Sequence, residues 1–83
     1  MDRSDILSAV YDACVELLHA EPGDLQESTH FADDLDADSL DLAEVVMALE
    51  DRFEVEIPED DLEPVRTIGQ AADVVARKLG VAA

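Results

Sequence analysis

A chain of 83 residues is enough for one small domain near the lower limit for a self-supporting core, and its 22 acidic against 5 basic side chains leave a net charge of -17. Such a charge repels phosphate backbones, which argues against direct nucleic-acid binding, and it attracts basic protein surfaces. No apolar run is long enough to span a bilayer, Met1-Asp2-Arg3 does not begin a signal peptide, and the single cysteine, Cys14, leaves no internal disulfide, so a cytoplasmic, monomeric domain over residues 1–83 with no membrane association is expected.

From Ser4 to about His19 the apolar residues Ile6, Leu7, Val10, Cys14, Leu17 and Leu18 recur at the spacing of one helix face. Asp2 or Ser4 can cap the start, and Pro22-Gly23 is the expected stop. Cys14 lies inside the stripe and reads as a buried thiol. Residues Glu21 to Ala37 lack a sustained period and read as a long loop, pinned by Leu25, Phe31 and Leu35. His19 and His30 have no second cysteine or further histidine to form a metal or nucleophile site and read as surface residues.

A second long helix is predicted from Ser39 to about Phe53, with Leu42, Val45, Val46, Leu49 and Phe53 toward the core. Asp41, Glu44, Ala48 and Asp51 lie on the opposite side. A further stripe, Leu40, Ala43, Met47 and Glu50, is half apolar within an acidic rim, which suits a docking surface better than a core. Glu54 to Ile57 reads as an extended connection, and Pro58 opens a short third helix that ends near Pro64. Thr67 with Gln70 makes a capping box for the last helix, which carries Ile68, Ala71, Ala72, Val75 and Leu79 on one face and ends at Gly80. The expected fold is an all-α four-helix bundle, three helices long and one short, with a long loop between the first two.

The stretch with chemical content is Asp33-Asp34-Leu35-Asp36-Ala37-Asp38-Ser39-Leu40-Asp41. Asp38 is a good N-cap and Asp41 completes an acidic capping box, which puts Ser39 at the first helical position with its hydroxyl outward. A hydroxyl at the positive end of a helix can carry a phosphate ester.

Asp38-Ser39-Leu40-Asp41, preceded by Phe31-Ala32-Asp33-Asp34-Leu35 and followed by Glu44 to Phe53 and then Ile57-Pro58, resembles the attachment region of acyl carrier proteins over nearly the whole chain. The resemblance implies that Ser39 bears 4′-phosphopantetheine, with Asp38 and Leu40 flanking it, and that the arm's thiol carries acyl groups as thioesters. It also implies that the second long helix is the recognition helix, through Leu40, Asp41, Glu44, Met47, Glu50 and Asp51. The implied partners are a phosphopantetheinyl transferase, then a ketosynthase, an acyltransferase and related enzymes with basic docking faces. Stand-alone carriers of fatty acid synthesis are the most similar in pattern, and free-standing polyketide carriers look much the same. Where the family usually has glycine before Ala37, this chain has Asp36.

Three other readings compete. A calcium loop on Asp34, Asp36 and Asp38 would need glycine where Ser39 stands and a bidentate glutamate where Val45 stands, so no metal site is expected. Hydrolysis by paired carboxylates or a Ser-His-Asp set lacks the pocket that would tune a base, so no enzyme is expected. An acidic interaction module that is never acylated is the alternative from a different class.

Overall fold

The computed structural model describes residues 2–81. Five α-helices follow one another: α1 (Arg3–Leu18), α2 (Phe31–Leu35), α3 (Ser39–Phe53), α4 (Glu59–Leu62) and α5 (Ile68–Leu79). The three long helices and the short α4 are the bundle expected from the periodicity. The region expected to be loop throughout differs, holding a 3₁₀ turn at Pro22–Asp24 and the five-residue α2.

Asp2 caps α1, with its side chain accepting from the Asp5 N–H and the Asp5 side chain accepting from the Asp2 N–H. The helix ends at Leu18 because His19 turns left-handed at φ 58°. Pro22-Gly23 therefore does not stop α1 but lies in the 3₁₀ turn beyond it. Thr67 and Gln70 cap α5 as expected, and Gly80, at φ 73°, closes it.

Ile6, Val10 and Cys14 of α1, Val45, Val46 and Leu49 of α3, and Ile68, Ala72 and Val75 of α5 meet in one core. Alanine lines much of it: Ala9 and Ala13 of α1 are buried, as are Ala71, Ala72 and Ala76 of α5. Small side chains let the helix axes approach, so the close fit of α1 against α5 rests on them. Leu17, expected in the stripe, is 36 % exposed, because the inward face of α1 rotates toward the alanines. Cys14 is buried, as expected, and burial pushes its thiol up from 9.0 to about 11.

That shift sets a pH dependence. Below pH 9 the thiol is protonated in both states and contributes no difference. Between pH 9 and 11 the unfolded thiol ionises while the native one does not, so stability falls as pH rises, on the order of 1.4 kcal/mol per pH unit. Urea melts of wild type and Cys14→Ala across pH 7–11 should show the wild type losing ground only above about pH 9. A difference that stays constant across that range would contradict a buried thiol.

The segment between α1 and α3 is tied to the start of α5. The Ile68 N–H donates to the Thr29 carbonyl at 3.0 Å, the Gly69 N–H to the Glu27 carbonyl at 2.9 Å and the Phe31 N–H to the Arg66 carbonyl at 3.0 Å. Thr29 is buried and satisfied: its hydroxyl donates to the Asp24 carbonyl at 3.2 Å and accepts from the Gln26 N–H at 3.0 Å. Gly69 suits this approach, since a Cβ there would stand 3.2 Å from the Glu27 carbonyl oxygen, a tight contact. Arg3 pairs with Glu27 and with Asp73 at 3.0 Å, joining α1, the connection and α5. These ties, rather than local propensity, hold the start of α2 against the approach to α5.

Candidate functional site

The start of α3 is built by its own sequence. The Asp38 side chain accepts the Asp41 N–H at 2.9 Å, and the Asp41 side chain accepts the Asp38 N–H at 3.1 Å. Each carboxylate satisfies a backbone donor that the first turn of a helix leaves open. Ser39 is the first helical residue and is exposed, as expected.

The approach to Ser39 runs through α2. The Asp34 side chain accepts the His30 N–H at 2.7 Å, Phe31 is buried, and the Asp36 N–H donates to the Ala32 carbonyl at 3.1 Å. Asp36 itself is left-handed, at φ 54°, and the Ala37 N–H then closes on the Phe31 carbonyl at 2.9 Å. A left-handed residue ending a helix is where glycine costs least. Asp36→Gly should therefore stabilise the fold by about 0.5–1 kcal/mol, a rise of a few degrees in Tm. A lower Tm would show that the Asp36 side chain has a role the backbone does not reveal.

Beside Ser39 an open cleft of about 440 Å³ is lined by Phe31, Ala37, Leu42, Val65 and Arg66, with Asp33 and Asp38 at its edge. Its wall is mainly apolar, and Arg66 is the one arginine or lysine that lines it, with His30 also at the wall. Another cleft, of about 470 Å³, lies between the end of α1 and α2, where Glu21, Asp24, Asp34 and Asp36 bring negative charge without an arginine or lysine. The first combines the exposed Ser39 hydroxyl, an apolar wall and a positive charge, which fits a phosphate-linked organic arm. Neither Val65 nor Arg66 was among the residues singled out in the sequence. The one signal is that Arg66 is the first arginine or lysine after the acid-rich run from Asp33 to Glu63.

Along α3, Leu40 is 75 % and Met47 62 % exposed, and Ala43 and Glu44 are exposed between them. Asp51 is exposed at the far end and Asp41 half-buried at the near one. The structure thus brings Leu40, Asp41, Glu44, Met47 and Asp51 onto the outside of α3. Glu50 is placed differently: it is half-buried, and its Oε2 accepts the Ile57 N–H at 2.8 Å. That carboxylate holds the connection from α3 to α4. Arg52, the single arginine or lysine between Asp33 and Glu63, reaches back to Asp12 of α1 at 3.5 Å. Among the described residues no three metal-ligating side chains gather, and no helix is long and apolar enough to cross a membrane.

An all-α bundle with a capped serine at the head of an exposed, acid-rimmed helix defines a carrier-type domain. The family model of the phosphopantetheine attachment site matches residues 8–82. An acyl carrier protein of Phenylobacterium zucineum is 44% identical over 77 residues, covering 93% of this chain and 98% of that protein. One from Caulobacter vibrioides is 45% identical over 75 residues, covering 90% and 96%. One from Chlorobium phaeovibrioides is 38% identical over 78 residues, covering 94% and 100%. The chain belongs to the acyl carrier protein family, whose cofactor is phosphopantetheine. Family members are carriers rather than catalysts, and they work with a phosphopantetheinyl transferase and with acyl-processing enzymes.

Proposed function

We propose that residues 1–83 act as one carrier domain whose phosphopantetheine is attached to Ser39, and that it delivers acyl intermediates to enzymes of fatty acid or polyketide assembly. The observation that carries this is the exposed Ser39 at the first position of α3, between the Asp38–Asp41 capping box and the apolar cleft. Loading forms a P–O bond at the Ser39 oxygen and breaks the anhydride bond of coenzyme A. The adenosine bisphosphate leaves with the electron pair, and the hydroxyl proton passes to a base on the transferase. Asp38 and Leu40 flank the hydroxyl, Asp38 by holding the helix start and Leu40 by offering an apolar contact beside it. When bound, the arm supplies a thiol on which acyl groups are held as activated, tethered thioesters.

Docking falls to the outer face of α3. Met47 and Leu40 form its apolar centre, Asp41, Glu44 and Asp51 its acidic rim, and Glu50 closes the edge with the oxygen that Ile57 leaves free. Basic patches on a ketosynthase or an acyltransferase would be drawn by the long-range charge and held by a small apolar contact. The exchange is then fast and weak, as a monomeric carrier serving several enzymes requires. Met47→Ala should lower kcat/KM for loading by about 5–10-fold while leaving the circular dichroism spectrum unchanged, since Met47 touches solvent rather than core. An unchanged kcat/KM would remove Met47 from the docking face.

The test of the assignment is intact mass after incubation with coenzyme A and a broad-specificity phosphopantetheinyl transferase, followed by digestion. A gain of one phosphopantetheine, located on the peptide that holds Ser39, is the expected result. A folded protein that gains nothing would favour an acidic interaction module instead.

A further inference from the structure

The basic side chains are few, and most are occupied. Arg3 pairs with Glu27 and Asp73, Arg52 with Asp12, and Lys78 with Asp61 at 2.8 Å. Arg66 and Arg77 have no carboxylate within ion-pair distance among the described residues, although the chain carries a net charge of -17. Of these two, Arg66 lines the cleft that Ser39 opens onto, while Arg77 of α5 lines a separate cleft with Pro64, Gln70 and Asp73.

Arg66 is also unusually well held for an exposed arginine. Its N–H donates to Gln70 Oε1 at 2.6 Å, and its carbonyl accepts the Phe31 N–H at 3.0 Å, which fixes its backbone between α2 and α5. Its Nη1 then donates to the Glu63 and Val65 carbonyls at 2.6 and 3.0 Å. Both of those contacts use one nitrogen. The Nε–H and the two Nη2 hydrogens have no acceptor among the described residues, and their directions are set by the planar guanidinium. A cation held this way loses little freedom when it meets an anion.

We propose that Arg66 is the positioning residue for the phosphodiester of the arm on Ser39, receiving it through Nε and Nη2 so that the pantetheine leaves along the Phe31–Leu42–Val65 wall. The inference rests on the Ser39 reading. The phosphodiester adds an anion to a cleft that already holds Asp33 and Asp38, and a charge-assisted hydrogen bond from the guanidinium lining the same cleft would compensate it. If Arg66 served only to offset Asp33 and Asp38, its value would be the same with and without the arm.

The experiment compares apo and phosphopantetheinylated forms of wild type, Arg66→Gln and Arg77→Gln, the last removing the same charge away from the cleft. Intact mass first establishes the arm on each protein. A wild type that takes none would refute the Ser39 assignment, separately from this proposal. In the loaded wild type the Arg66 Nε–Hε resonance, assigned by its loss in Arg66→Gln, should move relative to apo protein, while that of Arg77 should not. At low salt, loading should lower the Tm of Arg66→Gln by about 2–5 °C more than that of wild type or Arg77→Gln, and ~1 M salt should close the gap. An Arg66 resonance that stays in place when wild type is loaded overturns the proposal. So do equal Tm increments in the three proteins.

Discussion

Ser39→Ala is expected to take up no phosphopantetheine under conditions in which wild type is loaded completely. The loss should be total, because the bond to phosphorus is made by the oxygen that alanine lacks, and no neighbouring hydroxyl shares the start of α3. Stability should change by less than about 0.5 kcal/mol, since Ser39 is exposed and the cap belongs to Asp38 and Asp41. This pairing of an absolute loss with an intact fold separates attachment from a structural role. Intact mass spectrometry and thermal melts on the same samples read both. Loading that persists in Ser39→Ala would move the attachment point elsewhere in the chain.

The largest stability effect is expected at Ile68. It is fully buried where α5 begins, and its N–H carries the tie to Thr29. Ile68→Ala keeps that backbone bond but opens a cavity in the core at the start of α5, at a cost of about 2–5 kcal/mol. A domain of this size has on the order of 4–12 kcal/mol in total, so Tm should drop by at least ~10 °C. Strong self-repulsion leaves little reserve, and at low salt the variant should be partly unfolded at 37 °C. Leu17→Ala is the control: the same kind of truncation on the half-open side of α1 should cost less than about 1 kcal/mol. Urea melts measure the two side by side. A cost at Ile68 no greater than at Leu17 would mean that the core does not close around α5 as described.

The two variants probe different layers of what can be read from the chain. Ser39 was legible because its placement is local. An aspartate N-cap, a second aspartate three residues on and an apolar period starting there define a helix start without reference to the rest of the molecule. The same holds for the Thr67–Gln70 box, for Gly80 and for the inward stripe of α3, where Val45, Val46 and Leu49 are buried as the spacing predicts. The attachment region, also a local pattern, was legible as a resemblance, and the family match over residues 8–82 agrees with it.

Tertiary structure decided what spacing alone leaves open. Periodicity could not say whether Leu17 or the alanines of α1 face inward, because alanine is compatible with either side until a neighbouring helix approaches it. It could not find α2, since five residues bounded by irregular chain make a helix only when Phe31 is buried and its N–H is taken by Arg66. Glu50 reads as part of the docking stripe, yet the Ile57 N–H seven residues on claims one of its oxygens. Arg66 and Val65 stand more than twenty residues from Ser39, and only the ties between the α1–α3 segment and the start of α5 bring them to the same cleft. A capping box or a left-handed stop depends on a few consecutive residues, and the sequence contains all of them. A cleft depends on which distant backbones exchange hydrogen bonds, and that is settled only when the helices pack.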